Sequence, residues 1–232
     1  MVEHKKLVII PAFNEEESII GQYNEVKEKA EGYDILVIND CSKDMTHRLC
    51  VDNHVKVLDL AVNLGIGGAM QTGYRYALLN GYDVAVQIDG DGQHDPFFLN
   101  EMYDTLVSTG ADMVIGSRFI NKEGYQSTSL RRLGIRYFTM LIRLMTGHTV
   151  TDPTSGFRMA GKELIREFAK DYPQDYPEPE SVVRILRKGK KAVEVPVIMR
   201  RRSGGISSIH LTASVYYMIK VTIAIILERM RK

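Results

Sequence analysis

Short, largely apolar runs alternate with longer segments of helical composition through the first half of the chain. Residues 7–10, 35–38, 55–58, 84–88 and 113–115 read as five strands, none with the polar alternation of a half-exposed strand. Residues 15–30, 67–79 and 96–108 read as helices, and Ser42 or Asp44 is placed to cap another after the second strand. Pro96 takes an early helical position, where its missing N–H costs nothing. Apolar strands separated by helices predict an α/β fold with a mostly parallel sheet covered on both faces. In such sheets ligands bind beyond the carboxyl ends of the strands.

The second half is less regular. Residues 122–129 read as a polar loop. Residues 130–145 follow helical spacing, with Leu130, Leu133, Tyr137, Met140, Leu141 and Leu144 on one face and Arg132, Arg136 and Arg143 on another. A basic amphipathic helix of this kind fits an anionic bilayer surface, or an ordinary solvated face. Residues 151–158 hold too many turn formers for a helix. Residues 171–180 are acidic and proline-rich, and 193–198 read as a strand. The run Arg200-Arg201-Arg202-Ser203-Gly204-Gly205 suits the clamping of phosphate, or is solvated charge. Residues 211–227 are apolar apart from Lys220 and a few hydroxyl groups, shorter than the roughly 20 residues of a membrane span. A core helix, an interfacial helix and a helix docking on a membrane partner all fit.

At 232 residues, with 44% hydrophobic and 25% charged residues, the chain suits one globular domain. We place it at residues 1–210, followed by an apolar helix at 211–232. A net charge of +1 gives no argument for nucleic-acid binding. Cys41 and Cys50 have neither metal spacing nor a disulfide framework, and the N-terminus lacks the apolar stretch of a signal peptide.

Candidate chemistry gathers at the expected strand ends. Residues Pro11 to Glu15, Asn39 to Ser42, and Asp89-Gly90-Asp91 would border one cleft of nucleotide size. Asp89 and Asp91 offer two hard oxygen ligands, as a divalent cation on a diphosphate requires, although Asp-Gly also forms turns. The glycines after Asn63 precede a helix, so backbone N–H groups there are available to phosphates.

The ordered segments P-A-F-N-E-E, V-I-N-D-C-S-K-D-M-T, N-L-G-I-G-G-A, I-D-G-D-G-Q-H-D-P, G-S-R-F and T-S-G-F-R resemble the family 2 glycosyltransferases. The similarity runs from about Leu7 to about Ser208 and is greatest to the polyprenyl-phosphate branch, which includes dolichol-phosphate mannose synthase. It implies a single-domain fold of the GT-A type, a nucleotide-diphospho-sugar donor, Mg²⁺ or Mn²⁺, and inversion at the anomeric carbon. By this resemblance Pro11, Ala12, Glu15 and Asp40 contact the nucleoside. Asn39 stands where many members have a first Asp, which removes a charge. Asn63, Gly67, Gln87 and Gly90 complete the donor site. Asp89, Asp91 and Gln93 hold the metal. Arg118, Arg131 and Arg202 bind the acceptor phosphate or the donor diphosphate, with Arg200 and Arg201 as alternatives to Arg202. Asp152, Ser155 and Arg158 line the acceptor side.

The same resemblance implies a polyprenyl phosphate acceptor. A phosphate monoester has a second pKa near 6, so it is largely an oxyanion at neutral pH and needs no base. A saccharide hydroxyl acceptor, as in cell-surface polysaccharide synthesis, would need one, and Glu178, Glu180 and Asp152 are the candidates. Related chains often carry C-terminal membrane helices. Here peripheral attachment at the cytoplasmic face of the membrane, or recruitment by a small membrane protein, is expected instead. The apolar C-terminal helix also has the character to pair two copies.

Overall fold

The computed structural model describes residues 4–126, 128–201 and 211–230. Among them, strands β1 (Lys6–Ala12), β2 (Tyr33–Asn39), β3 (Val57–Asp59), β4 (Val84–Gln87), β5 (Met113–Ser117), β6 (Arg158–Gly161) and β7 (Ala192–Pro196) form one sheet. Their order is β3-β2-β1-β4-β6-β5-β7. Every neighbouring pair is parallel except those of β6, which is antiparallel to both β4 and β5. The helices are α1 (Ile19–Lys29), α2 (Thr46–Asp52), α3 (Gly65–Leu79), α4 (Leu99–Thr109), α5 (Ser129–Thr146), α6 (Lys162–Lys170), α7 (Pro177–Arg187) and α8 (Leu211–Met230).

The apolar runs follow from burial on both sheet faces. In β1, Leu7 and Ile9 join a cluster with Leu36, Ile38, Tyr74 and Phe168, while Val8 and Ile10 join another with Val37, Val86 and Met102. Successive side chains point to opposite faces, so a strand covered on both sides is apolar throughout.

Some boundaries move. The helix expected from Glu15 begins at Ile19, because the Glu15 carbonyl accepts from the N–H groups of Ser18 and Ile19 and closes a turn. Residues 96–98 form a single 3₁₀ turn capped by Asp95 before α4 starts. The N-cap position of α2 falls on Met45 and on neither proposed residue: Asp44, one position earlier, accepts from the Thr46 N–H at 3.0 Å, and Ser42 Oγ accepts from the Asn14 N–H. β6, α6 and α7 were not foreseen. β6 has four residues and is stabilised by pairing on both sides, a long-range term with little local signature.

The two apolar helices are only partly covered. In α5, Ile135, Phe138, Leu141 and Ile142 are buried, while Leu133, Met140 and Leu144 are 64%, 63% and 74% exposed. Leu133, Met140 and Leu144, three of the six apolar positions read as one face, thus lie on the outer surface, with the exposed Arg136 and Arg143 beside them. The helix carries apolar residues on more than one side, and its neighbours α7 and α8 decide which is covered. On α8, Val221 and Ile225 enter the core, and Tyr216, Ile219, Ile223 and Ile226 form an exposed stripe at helical spacing. Lys220 pairs with Asp175 in the loop before α7. Among the described residues no helix is long and apolar enough to cross a membrane.

Candidate active site

The sheet order places a crevice at the ends of β1 and β4. From β1 the chain moves outward to β2 and β3, then crosses back to β4 on the other side of β1. Loops at such a switch point diverge and leave room for a ligand. Gly90 lies there, and a Cβ on it would stand 3.4 Å from the Pro11 carbonyl oxygen. The antiparallel direction of β6 matters equally. Its preceding loop, residues 151–157, reaches the end of the sheet where β4 and β5 finish.

The loops after β1 and β2 are laced together. Asn14 and Cys41 adopt left-handed backbone angles, φ 55° and 59°. The Asn14 N–H donates to Ser42 Oγ, and the Lys43 N–H donates to Asn14 Oδ1. The Asp40 N–H donates to the Ala12 carbonyl at 2.9 Å. Asp40 is buried, and its Oδ1 accepts from the Leu64 N–H at 2.7 Å. Burial pushes its carboxyl up, against the N–H groups of Leu64 and Gly65. Asn39, also buried, donates to Asp59 and accepts from the Ser42 N–H, so the neutral amide ties the ends of β2 and β3. Asn63 donates to the Asp40 carbonyl. Glu15 accepts from the Ser18 hydroxyl. Gly67 has a packing reason to be glycine: a Cβ would lie 2.2 Å from the carbonyl oxygens of Pro173 and Gln174.

The Asp89–Asp91 turn is braced from behind. Gln87 Nε2 donates to Asp89 Oδ1 at 2.9 Å, and the Asp89 N–H donates to His94 Nδ1 at 3.1 Å. Nδ1 therefore accepts, and Nε2, which carries the proton, lies 3.7 Å from Asp89 Oδ2. The His94 ring stacks on Phe157, with centroids 5.1 Å apart. Asp91 Oδ1 accepts from the Gln93 N–H, and Gln93 Nε2 reaches the Arg200 carbonyl. Gly156 crosses directly over this site, where a Cβ would lie 2.9 Å from Gln87 Nε2 and 3.0 Å from Asp89 Oδ2. His94 and Gly156 sit inside recognised motifs but carried no assigned role in the sequence.

Opposite stands Arg118, just after β5. Its Nε and Nη2 bond the two oxygens of Asp152 at 2.7 and 2.8 Å, and Nη2 also meets Thr154. Asp152 is wholly buried. Arg118 Nη1 bonds none of the described residues, and the guanidinium is near enough to Asp89 to feel its charge. The expected acceptor contacts of Asp152, Ser155 and Arg158 look different in the fold. Ser155 Oγ accepts from the Phe157 N–H. Arg158 is 1% exposed and donates to the carbonyls of Pro153, Ser155 and Glu178 and to Ser181 Oγ. All three build the loop from within.

Arg131 opens the exposed first turn of α5, near Glu178. Burial pushes the Glu178 carboxyl up, against the pull of Arg158. Glu180 instead pairs with Arg184. Arg200 is held by Glu25 and Asp95, Arg201 lies over the Tyr125 ring, and Arg202 falls outside the described residues.

The donor set fits Mg²⁺ or Mn²⁺. Asp89 and Asp91 supply hard oxygens, and no cluster of three or more His, Cys, Asp or Glu surrounds them among the described residues. Mg²⁺ sites are commonly built from one or two carboxylates completed by substrate phosphates and water, unlike closed structural zinc sites. The buried Gln87 Oε1, without a hydrogen-bond partner, adds an oxygen acceptor close behind.

The family model for glycosyl transferase family 2 matches residues 7–168. The chain belongs to glycosyl transferase family 2. Among relatives of this family member, an undecaprenyl-phosphate mannosyltransferase of Micrococcus luteus is 33% identical over 86% of this chain and 85% of its own. A polyprenol monophosphomannose synthase of Mycolicibacterium smegmatis is 30% identical over 88% of this chain and 80% of its own. The fold matches that of glucosyl-3-phosphoglycerate synthase from Mycobacterium tuberculosis, solved with Mn²⁺, UDP-glucose and phosphoglyceric acid. That likeness has a TM-score of 0.75 at 18% identity and covers 99% of this chain and 81% of the other. The glycosyl transferase fold is therefore of the GT-A type, as the resemblance to family 2 implied.

Proposed function

We propose that this family 2 glycosyl transferase is an inverting enzyme that moves a sugar from a nucleotide-diphospho-sugar to a polyprenyl phosphate at the cytoplasmic face of a membrane. The observation that carries the reading is the facing of two groups across one cleft: the Asp89–Asp91 end of β4, and an Arg118 whose fork is fixed by Asp152. The names of the relatives support the acceptor class.

In this reading Pro11, Ala12, Glu15 and Asp40 hold the nucleoside, with Asn39, Asn63 and Gly67 keeping their loops in place. Asp89 and Asp91, with Gln93 beside them, would hold Mg²⁺ or Mn²⁺, which neutralises charge on the departing diphosphate. Gln87 and Gly90 shape the floor beneath. Arg118, Arg131 and Arg202 orient the acceptor phosphate. Its oxygen is already anionic, so positioning replaces proton removal. Direct attack from the face opposite the diphosphate inverts the anomeric centre. Asp152, Ser155 and Arg158 support this arrangement without touching the acceptor.

A second reading has one observation in its favour. Asp152 is consumed by Arg118 and Glu180 by Arg184, but Glu178 lies near Asp89 with its carboxyl pushed upward, as suits a general base for a saccharide hydroxyl.

The outer faces of α5 and α8 suit peripheral attachment to an anionic bilayer. Leu133, Met140 and Leu144 stand exposed beside Arg136 and Arg143, and Ile219, Ile223 and Ile226 extend the apolar surface on α8. The deciding experiment offers a panel of nucleotide-sugars together with undecaprenyl phosphate, dolichyl phosphate or oligosaccharides, and separates products by mass. Sugar-lipid is the expected product. Glycosylation of saccharide alone rejects the lipid-phosphate reading.

A further inference from the structure

Glu194 is the lone acid in the apolar run of β7, and nothing in the sequence assigned it a role. Its carboxylate makes no ion pair with any described residue. It accepts three hydrogen bonds, all from one turn: Thr151 N–H at 2.7 Å, Thr151 Oγ at 3.0 Å and Asp152 N–H at 2.8 Å. Burial pushes this carboxyl up, and nearby Asp152 adds to the effect. A half-buried carboxylate beside a second carboxylate is an unfavourable arrangement unless fixed donors compensate it.

The donors belong to a directed chain. Since Thr151 Oγ donates to Glu194, it accepts from Ser117 Oγ at 2.7 Å, and Ser117 Oγ accepts from the Phe119 N–H at 3.3 Å. Ser117 and Phe119 flank Arg118 in sequence. Asp152, whose own N–H is held by Glu194, grips the Arg118 guanidinium and also accepts from the Arg118 backbone N–H. Among the described residues, every hydrogen bond of the Arg118 side chain thus connects to Glu194 through Asp152, the Thr154 contact by way of the Thr154 hydroxyl. Such hydrogen-bond chains reinforce one another in a low-dielectric interior.

We infer that Glu194 is a positioning residue for sugar transfer: by fixing the Thr151–Asp152 peptide it holds Arg118 in the orientation that presents Nη1 to a phosphate in the cleft. The inference rests on the glycosyl-transfer reading above for its catalytic consequence. Its structural consequence stands independently of it.

The test is Glu194→Gln. The amide keeps the shape but turns one acceptor oxygen into a donor facing the Thr151 or Asp152 donors. The expected result is a fall of roughly 10- to 100-fold in kcat/KM for polyprenyl phosphate, as misplacement of a positioning group produces. Binding of the nucleoside diphosphate, on the far side of β4, should stay within about twofold of wild type. The Arg118 Nε–H resonance, assigned through Arg118→Lys, should shift and exchange faster with solvent. An unchanged Arg118 resonance overturns the inference whatever the activity. Parallel losses of nucleotide affinity, melting temperature and activity also overturn it, since they mark general damage to the fold. If the wild-type protein makes no sugar-lipid, the acceptor reading fails and the resonance alone decides the role of Glu194.

Discussion

Asp152 grips Arg118 through two parallel hydrogen bonds of 2.7 and 2.8 Å, with the carboxylate wholly removed from solvent. This pair joins the loop before β6 to the end of β5, and its arginine faces the acidic turn after β4. Removing one partner leaves a buried charge uncompensated. Asp152→Ala is therefore expected to cost about 3–5 kcal/mol, readable by denaturant unfolding. Arg118→Lys keeps the charge but loses the fork, and should reduce transfer more than stability. Equal transfer by the lysine variant would show that charge alone suffices.

Asp91→Ala should lower sugar transfer by roughly 10²–10³-fold, the scale for losing one electrostatic contact at a developing charge. Titration with Mn²⁺ in the presence of donor is the companion measurement. Undiminished sugar-lipid formation would remove Asp91 from the metal site.

Gly156→Ala tests the close approach of the 151–157 loop. The new methyl would stand 3.0 Å from Asp89 Oδ2 and 2.9 Å from Gln87 Nε2, so Asp89 must move. A displacement near 1 Å at a reacting centre costs on the order of 100-fold in rate. Weakened Mn²⁺-dependent donor binding is expected, and unaltered binding would show that the turn yields without consequence.

Leu133, Met140 and Leu144 are the most exposed apolar side chains among those described in α5. Replacing all three with Gln should abolish sedimentation with anionic vesicles while leaving the fold intact, because none is a core residue. Replacing Arg136 and Arg143 with Gln should weaken binding by about 1 kcal/mol per charge and reduce its salt dependence. Wild-type protein that ignores vesicles of any composition would exclude direct bilayer attachment.

Arg200 sits between Glu25 and Asp95, at 2.8 and 2.5 Å. The Arg200 guanidinium holds the Glu25 carboxyl below its ordinary value. A carboxyl lowered on folding contributes stability above its unfolded pKa and loses it as pH falls through the folded value. All three side chains retain solvent contact, so the effect is modest, about 1 kcal/mol. Arg200→Met should therefore melt earlier than wild type at pH 7, and the gap should narrow as pH falls below about 4. A gap that stays constant through the acid range would assign it to packing.

The sheet and the acidic turn at the end of β4 were legible in the chain. The apolar runs gave the parallel strands because burial on both faces leaves no room for polar alternation, and the Asp89-Gly90-Asp91 turn was visible because its residues are contiguous. Asp40, Asn39 and Asn63 were found for the same local reason, although only the fold revealed that Asn39 braces Asp59. The surroundings of residues 151–158 were not legible in this way. Asp152, Ser155 and Arg158 stood in a motif, yet their side chains turn inward, and Glu194 gave no signal beyond an acid in an apolar strand. The apolar face of α5 was legible as a face, but periodicity counts apolar positions and does not know which of them neighbours will cover: Leu141 is buried, and Leu133 and Leu144 are not.

The sequence by itself determined the layered α/β class, the family and the acidic Asp89-Gly90-Asp91 turn, all products of local pattern. Tertiary structure alone decided that β6 runs antiparallel, bringing residues 151–157 over Asp89, and that Glu194, Asp152 and Arg118 form one polar chain. Those relations join residues 34 to 67 positions apart, and their energy exists only once the strands have paired.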